Sequence, residues 1–168
     1  MAWDRQIAAL FRMDERAWAR HANPWSVWTR MATLPLIALA AWSRVWIGWW
    51  WLAALGLALA WTWINPRLFP PPGSTESWAS RAVLGERLWL DRERIAVPRH
   101  HRRIPHVLSA VAALGGAILV WGLATLDPWP TLLGLMVAFL GKLWFVDRMV
   151  WLHADMQAAH AGDGAARR

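Results

Sequence analysis

Two apolar blocks, each far longer than a single membrane crossing, constrain the fold of this chain more than any other feature. The first runs from Trp25 to Ile64 and the second from Pro105 to Trp151. About 20 apolar residues already cross the hydrocarbon core of a bilayer, so each block is long enough to cross twice. The polar pair Ser43-Arg44 divides the first block, and residues 127–130 divide the second. The sequence therefore predicts an all-α membrane protein with four transmembrane helices in two hairpins.

Prolines and their neighbours mark the predicted helix ends. Asn23-Pro24 and Asp127-Pro128 each supply a capping side chain followed by proline at the first helical position. Asn65-Pro66 and the prolines at 70–72 are expected to end the second span, and Pro35 is expected to kink the first one. The predicted spans are residues 25–42, 47–64, 105–126 and 131–150.

The composition indicates a lipid environment and argues against an ordinary soluble domain. Of the 168 residues only 17% are charged, against about 25% in an average soluble domain. The 18 Lys and Arg exceed the 11 Asp and Glu, which alone would suggest nucleic acid. The long uncharged runs favour a bilayer instead, so we expect no nucleic-acid partner. Because the chain has no cysteine, disulfides and thiolate metal sites are excluded.

The basic residues predict how the hairpins are oriented. Only Arg44 among the Lys and Arg residues lies in a predicted hairpin tip, and Asp127 is the only charge in the other tip. The other 17 basic residues lie in the terminal segments, in the central connector, or at span ends that face them. The positive-inside rule therefore predicts that both termini and the connector are cytoplasmic, in a multi-pass protein of the prokaryotic inner membrane. The tryptophans gather at both predicted boundaries, as expected of aromatic belts.

The segments outside the hairpins are predicted to lie at or beyond the cytoplasmic membrane surface. Apolar and basic residues occupy opposite helical faces in the N-terminal segment, which predicts an amphipathic interfacial helix rather than a signal peptide. The tail from Ala161 is expected to be disordered. The predicted divisions are the interfacial helix (1–20), the first hairpin (21–64), the connector (65–104), the second hairpin (105–152) and the tail (153–168).

The connector contains one predicted helix and one ambiguous stretch. A short helix from Ser74 to Leu84 is expected to be capped by Gly85. Residues 88–97 alternate apolar and polar around a charged centre, which fits either a small β-hairpin or a continued helix.

Ionisable residues in or beside the spans are the candidate ligand-binding residues, because placing a charge there costs free energy. All of them belong to the predicted cytoplasmic half, where they can converge into one polar pocket. Snorkelling of long side chains, and an Asp147 carboxylate that neutralises Arg30 or Arg67, explain the same pattern without a ligand. The candidates are Arg30, Lys142 and Asp147, with His21, Asn23, Arg67 and Arg148 nearby.

Histidines near the predicted cytoplasmic ends of the third and fourth spans form a weaker candidate metal site. Helix packing can bring together His101, His106 and His153, but no HExxH motif or His pair at i,i+4 occurs. We expect the basic run 99–103 to face lipid phosphates instead. No motif implies a cofactor. Glycines in the last two spans, at 115, 116, 122, 134 and 141, are expected to be helix contacts.

Three stretches carry a resemblance to a known family. They are HANPWSVWTR at residues 21–30, GERLWL at 85–90 with the later PRHH at 98–101, and GKLWFVDRMVW at 141–151. Together they resemble a family of small tryptophan-rich prokaryotic membrane proteins of unknown function, over roughly residues 20 to 156. The resemblance implies the fold and the membrane location, and it implies no activity.

Two functions of different class follow from this pattern. The favoured one is a non-enzymatic membrane component, either a homo-oligomer or an accessory subunit of a larger complex, with the lipid bilayer as its partner. The alternative is an enzyme or carrier for an amphipathic anionic small molecule or lipid. It uses a pocket in which Arg30 and Lys142 bind the anionic group and Asp147 acts as base or counter-ion.

Overall fold

All regular secondary structure in the described part of the chain is helical. The computed structural model describes residues 14–166. Its helices, in chain order, are α1 (Glu15–His21), α2 (Pro24–Met31), α3 (Thr33–Trp42), α4 (Arg44–Ile47), α5 (Trp51–Leu68), α6 (Trp78–Leu90), α7 (His100–Thr125) and α8 (Pro128–Ala166), and a 3₁₀ turn at Gly48–Trp50 joins α4 to α5. The predicted all-α fold class is confirmed for these residues.

Three helical stretches are long and apolar enough to cross a membrane, namely Pro24–Leu68, His100–Thr125 and Pro128–Gly162. The first has 45 residues and reverses direction around Gly48, whose φ of 53° lies in a region that favours glycine. Because of this reversal, α2 and α3 both pack against α5. The first stretch is therefore folded back on itself.

Two prolines shape this first stretch, one as predicted and one not. Pro35 lacks an N–H, and its ring clashes with the carbonyl four residues earlier, at Met31; the helix accordingly breaks at Ala32, between α2 and α3. Asn65-Pro66 and the prolines at 70–72 were expected to end the second span; α5 continues through Pro66 and ends at Leu68, before the prolines at 70–72. Proline is more frequent inside membrane helices than inside soluble ones, because neighbouring groups can satisfy the carbonyl that it leaves without a donor.

Close backbone contact holds α7 against α8. Four of the five predicted contact glycines face the partner helix: Gly115, Gly122, Gly134 and Gly141. A Cβ added to Gly115 would lie 2.3 Å from the backbone nitrogen of Ala138, and one added to Gly134 would lie 2.2 Å from that of Leu119. The fifth, Gly116, faces open space. The prediction of small-residue helix contacts is confirmed for the four.

Both predicted N-caps are confirmed. The Asn23 Oδ1 accepts a hydrogen bond from the Trp25 amide at 3.0 Å. The Asp127 Oδ1 accepts one from the Trp129 amide, also at 3.0 Å. In both cases the bonded amide lies two residues after the cap, the usual N-cap geometry, and the intervening proline occupies the first helical position, where no N–H is needed.

Arg44 joins the turn of the first helical stretch to the turn of the second. Its Nη2 donates to the carbonyl oxygens of Leu123 and Ala124, at 3.2 Å from the latter. These carbonyls belong to the last turn of α7, where they lack intrahelical donors. The two turns therefore lie at the same end of the bundle.

The connector helix α6 differs from its prediction at both ends. It runs from Trp78 to Leu90, so Gly85 lies inside it, and the β-hairpin alternative for residues 88–97 is wrong. A Cβ on Gly85 would lie 1.8 Å from the Met149 carbonyl oxygen of α8. This glycine therefore permits close helix packing rather than ending the helix. Trp89, which is buried, also packs into the core on this face of α8.

The two chain ends were predicted with mixed success. Residues 1–13 of the predicted interfacial helix lie outside the described residues, and α1 begins after Asp14, which accepts a hydrogen bond from the Ala17 amide at 2.7 Å. At the other end, the expected disorder from Ala161 is wrong, since α8 continues to Ala166. Leu152 and Met156 pack against the core and hold the helix beyond the apolar stretch.

We expect Gly85→Ala to lower the free energy of unfolding by about 1–3 kcal/mol, because the added methyl overlaps the backbone of α8. Thermal unfolding in mild detergent measures this effect. The matched control is Gly116→Ala, which also lies inside a helix but faces open space, and which we expect to be neutral or slightly stabilising. Equal unfolding temperatures for the two variants would contradict the close packing of α6 on α8.

Candidate functional site

A cavity of about 530 Å³ lies between the first helical stretch, α6 and α8. Small-molecule sites typically have about 300–1,000 Å³, so its size fits a ligand. Most of its wall is apolar and includes Val27, Leu34, Phe139 and Phe145. Its position is set by the packing of α3 against α8 and of α2 against α6.

Four titratable side chains from four helices line this cavity: His21 of α1, Arg30 of α2, Glu86 of α6 and Lys142 of α8. The Lys142 Nζ lies 3.6 Å from the Glu86 Oε1 and 4.6 Å from the centre of the Phe145 ring. Two cations therefore share the cavity with one carboxylate. We call these four residues the charged cluster.

The charged cluster fixes the protonation states of Glu86 and His21. Burial raises the pKa of the Glu86 carboxyl, but attraction to Lys142 and Arg30 outweighs it, so this pKa lies below its ordinary value. Burial, and then repulsion by Arg30, lowers the pKa of His21 to about 4. At neutral pH the cluster therefore holds an ionised carboxylate beside a neutral imidazole.

A chain of buried hydrogen bonds positions His21. The Ser26 hydroxyl donates to the Asn65 Oδ1 at 2.8 Å and lies 3.0 Å from the His21 Nδ1. Since this hydroxyl donates to Asn65, it accepts from His21, which leaves the His21 Nε2 as a hydrogen-bond acceptor. The Asn65 Nδ2 in turn donates to the Thr29 Oγ1 at 2.8 Å. These hydrogen bonds connect α1 and α2 to α5, and Ser26 lies one helical turn before Arg30.

The structure brings three of the seven predicted ligand-binding residues to the cavity: His21, Arg30 and Lys142. Asp147 does not line it. Its Oδ1 accepts a hydrogen bond from the Trp78 Nε1 at 2.9 Å, and Trp78 stacks on Trp28. Glu86 instead supplies the carboxylate beside Lys142. The expected pairing of Asp147 with a cation is therefore replaced by a hydrogen bond to an indole.

The other three predicted residues also have structural partners outside the cavity. The Asn23 Nδ2 donates to the Pro70 carbonyl at 3.0 Å, in addition to capping α2. The Arg67 guanidinium lies 4.3 Å from the ring centre of Trp63. Arg148 lies 4.9 Å from the ring centre of Trp151.

The three predicted metal-binding histidines are not brought together in the described part of the chain. His101 groups with His100 and Asp155 instead. The His106 ring packs on Trp89, with 5.1 Å between ring centres. His153 is half-buried on α8.

The fold and the cavity define a class: over its described residues this is an all-helical protein, with helices able to cross a membrane and a charged cluster that lines a cavity. A family model described as "Family of unknown function (DUF6653)" matches residues 2–168. The chain therefore belongs to this family, which confirms the resemblance to a family of unknown function. No curated protein and no solved structure matches the chain.

We expect acid to destabilise the protein through His21. Its pKa is about 4 in the folded state, against an ordinary value of 6.5. Between these two pH values His21 is therefore protonated in the unfolded chain and neutral in the folded chain. Because protonation favours the unfolded chain, the free energy of unfolding decreases as the pH falls from 6.5 to 4. The decrease reaches roughly 2 kcal/mol at pH 5. Glu86, with its lowered pKa, remains ionised in the upper part of this range.

Unfolding temperatures at pH 7.5 and pH 5.0 measure this effect. The control is His21→Gln, which keeps a hydrogen-bonding side chain near Ser26 but does not titrate. We expect a smaller loss in the variant than in the unmodified protein, and the same loss in both would contradict the assignment to His21.

Proposed function

We propose that this chain is an integral membrane protein that binds an amphipathic anionic molecule in the cavity beside the charged cluster. The observation that carries this proposal is an apolar cavity of about 530 Å³ whose wall also carries Arg30, Lys142 and one carboxylate, Glu86. An apolar wall accommodates a hydrocarbon body, and the two cations can bind an anionic head group. Lys142, with a half-exposed side chain, lies where the head group enters.

We further propose that the membrane is crossed four times, with both termini and the connector on the cytoplasmic side. The reversal around Gly48 supports two crossings within Pro24–Leu68. The Arg44 bonds to α7 support one common side for the two turns. The prokaryotic inner membrane is the location that the sequence resemblance implies.

A ligand-binding function has more support than the accessory or oligomeric function favoured by the sequence. That expectation depended on the small interior volume of four spans and on tryptophan- and glycine-rich surfaces that favour association with other chains. Four of these glycines contact the partner helix within this chain instead, as Gly115 does against Ala138. The exposed apolar side chains of the spans need no protein partner in a bilayer, since lipid covers them.

Single cysteines test the four crossings directly, because the chain has no cysteine of its own. Trp49 and Trp129, both highly exposed, occupy the two turns, and Ser74 lies in the connector. We expect a membrane-impermeant maleimide to label Trp49→Cys and Trp129→Cys on intact spheroplasts. It should label Ser74→Cys only after permeabilisation. Labelling of Trp49→Cys and Ser74→Cys under the same conditions would contradict the arrangement.

Native mass spectrometry in mild detergent, with oleate as the probe, tests ligand binding. We expect one saturable oleate per chain. Lys142→Met and Arg30→Gln should each raise its dissociation constant by at least about 10-fold, because each removes a charge-assisted hydrogen bond. The control is Arg148→Gln, which removes a cation outside the cavity and should leave binding unchanged. Equal binding by all four proteins, or oligomers without oleate, would contradict the proposal.

A further inference from the structure

A second polar cluster joins the beginning of α7 to the later part of α8, and it is separate from the cavity. The His100 Nε2 and the His101 Nε2 each lie 2.9 Å from the same atom, the Asp155 Oδ2. These three atoms lie within 4.8 Å of one another. Two imidazole nitrogens and one carboxylate oxygen therefore converge on a single point.

The donor set suits a transition metal. Imidazole nitrogen and carboxylate oxygen bind Zn²⁺ at about 2.0–2.2 Å, and tetrahedral geometry then places neighbouring donors about 3.4 Å apart. Each His–Asp contact of 2.9 Å needs an increase of only a few tenths of an ångström to reach this spacing. Side-chain rotation of the exposed His100 and Asp155 can provide it.

Rigid helices hold the ligands in place. The extensive contact between α7 and α8 fixes His101 relative to Asp155. The His101 side chain is 1% exposed, whereas those of His100 and Asp155 are 62% and 48% exposed. The cluster therefore has one anchored ligand and an open side through which an ion can enter.

The buried His101 ring has polar contact on one side only. Its Nδ1 is buried without a hydrogen-bond partner among the described residues. Only Nε2 is left to offset the cost of removing the ring from water. A metal bond at Nε2 would offset that cost more fully than a hydrogen bond to a half-exposed carboxylate.

The neighbouring Arg102 has a hydrogen-bond partner outside the cluster. The next residue, Arg102, turns its Nε to the Val97 carbonyl at 3.3 Å, toward the loop that precedes α7. The Asp155 carboxylate supplies negative charge at the convergence point, so the cluster attracts a dication more strongly than two imidazoles would by themselves.

We propose that His100, His101 and Asp155 form a binding site for a divalent transition-metal ion, with zinc as the ion of first choice. Three protein ligands leave one coordination position open, as in zinc sites that bind water or a substrate. The site lies at the end of α7 opposite the turns tied by Arg44. It does not depend on the cavity ligand.

Zinc titration of the untagged, chelator-treated full chain in detergent tests the site by calorimetry. We expect one Zn²⁺ per chain, and we expect His100→Gln and Asp155→Asn to weaken binding by more than about 100-fold. Both substitutions alter exposed side chains, so the fold should persist. The control is His160→Gln, also on α8, whose Nδ1 lies 2.6 Å from the Met156 carbonyl; we expect it to bind zinc normally.

Cobalt substitution gives a second readout. Co²⁺ bound by two imidazoles and a carboxylate should produce visible d–d absorption in the unmodified protein and in His160→Gln but not in Asp155→Asn. Failure of the unmodified protein to take up zinc in a saturable way would overturn the proposal. Zinc uptake by His100→Gln and Asp155→Asn equal to that of the unmodified protein would do the same.

Discussion

Direct backbone contact between helices, made possible by glycine at the contact points, determines where the side chains of this protein can meet. Gly115 and Gly134 bring α7 and α8 together, and Gly85 brings α6 onto the same helix at Met149. With α8 in contact with both neighbours, Lys142 reaches Glu86 and Asp155 reaches the histidines of α7. Both candidate sites therefore depend on the same close packing.

A different interaction, the series of buried hydrogen bonds through Ser26 and Asn65, positions the first helical stretch. Ser26 and Asn65 are fully buried, so their mutual hydrogen bond forms away from water, where an unpaired polar group is costly. This bond and the contact from His21 fix the rotation of α2, and Arg30 faces the cavity as a result. The sequence motif at residues 21–30 thus contains three of the four hydrogen-bonded residues, His21, Ser26 and Thr29, and one of the cavity cations.

The helix caps and the glycine contacts of the last two spans were predictable from the sequence, whereas the side-chain partners that the packing of α6 brings together were not. The caps at Asn23 and Asp127 follow from an Asx-Pro pair, whose effect is confined to one turn. Glu86 was missed because it lies in the connector, which was predicted to lie at or beyond the membrane surface. The sequence around it does not indicate that Gly85 allows α6 to pack closely on α8. Asp147 was expected to need a cation, but an indole N–H satisfies it. That partner, Trp78, is 69 residues away in sequence.

The charge balance of the cavity explains why a carboxylate lies among the residues proposed to bind an anion. Two cations without a counter-charge would be expensive to hold in an apolar cavity before a ligand arrives. Glu86 neutralises one of them, and the neutral His21 adds no charge, so the charged cluster carries a net charge of about +1 at neutral pH. Because Glu86 lies 3.6 Å from Lys142, the anion that we propose for this cavity shares Lys142 with that carboxylate.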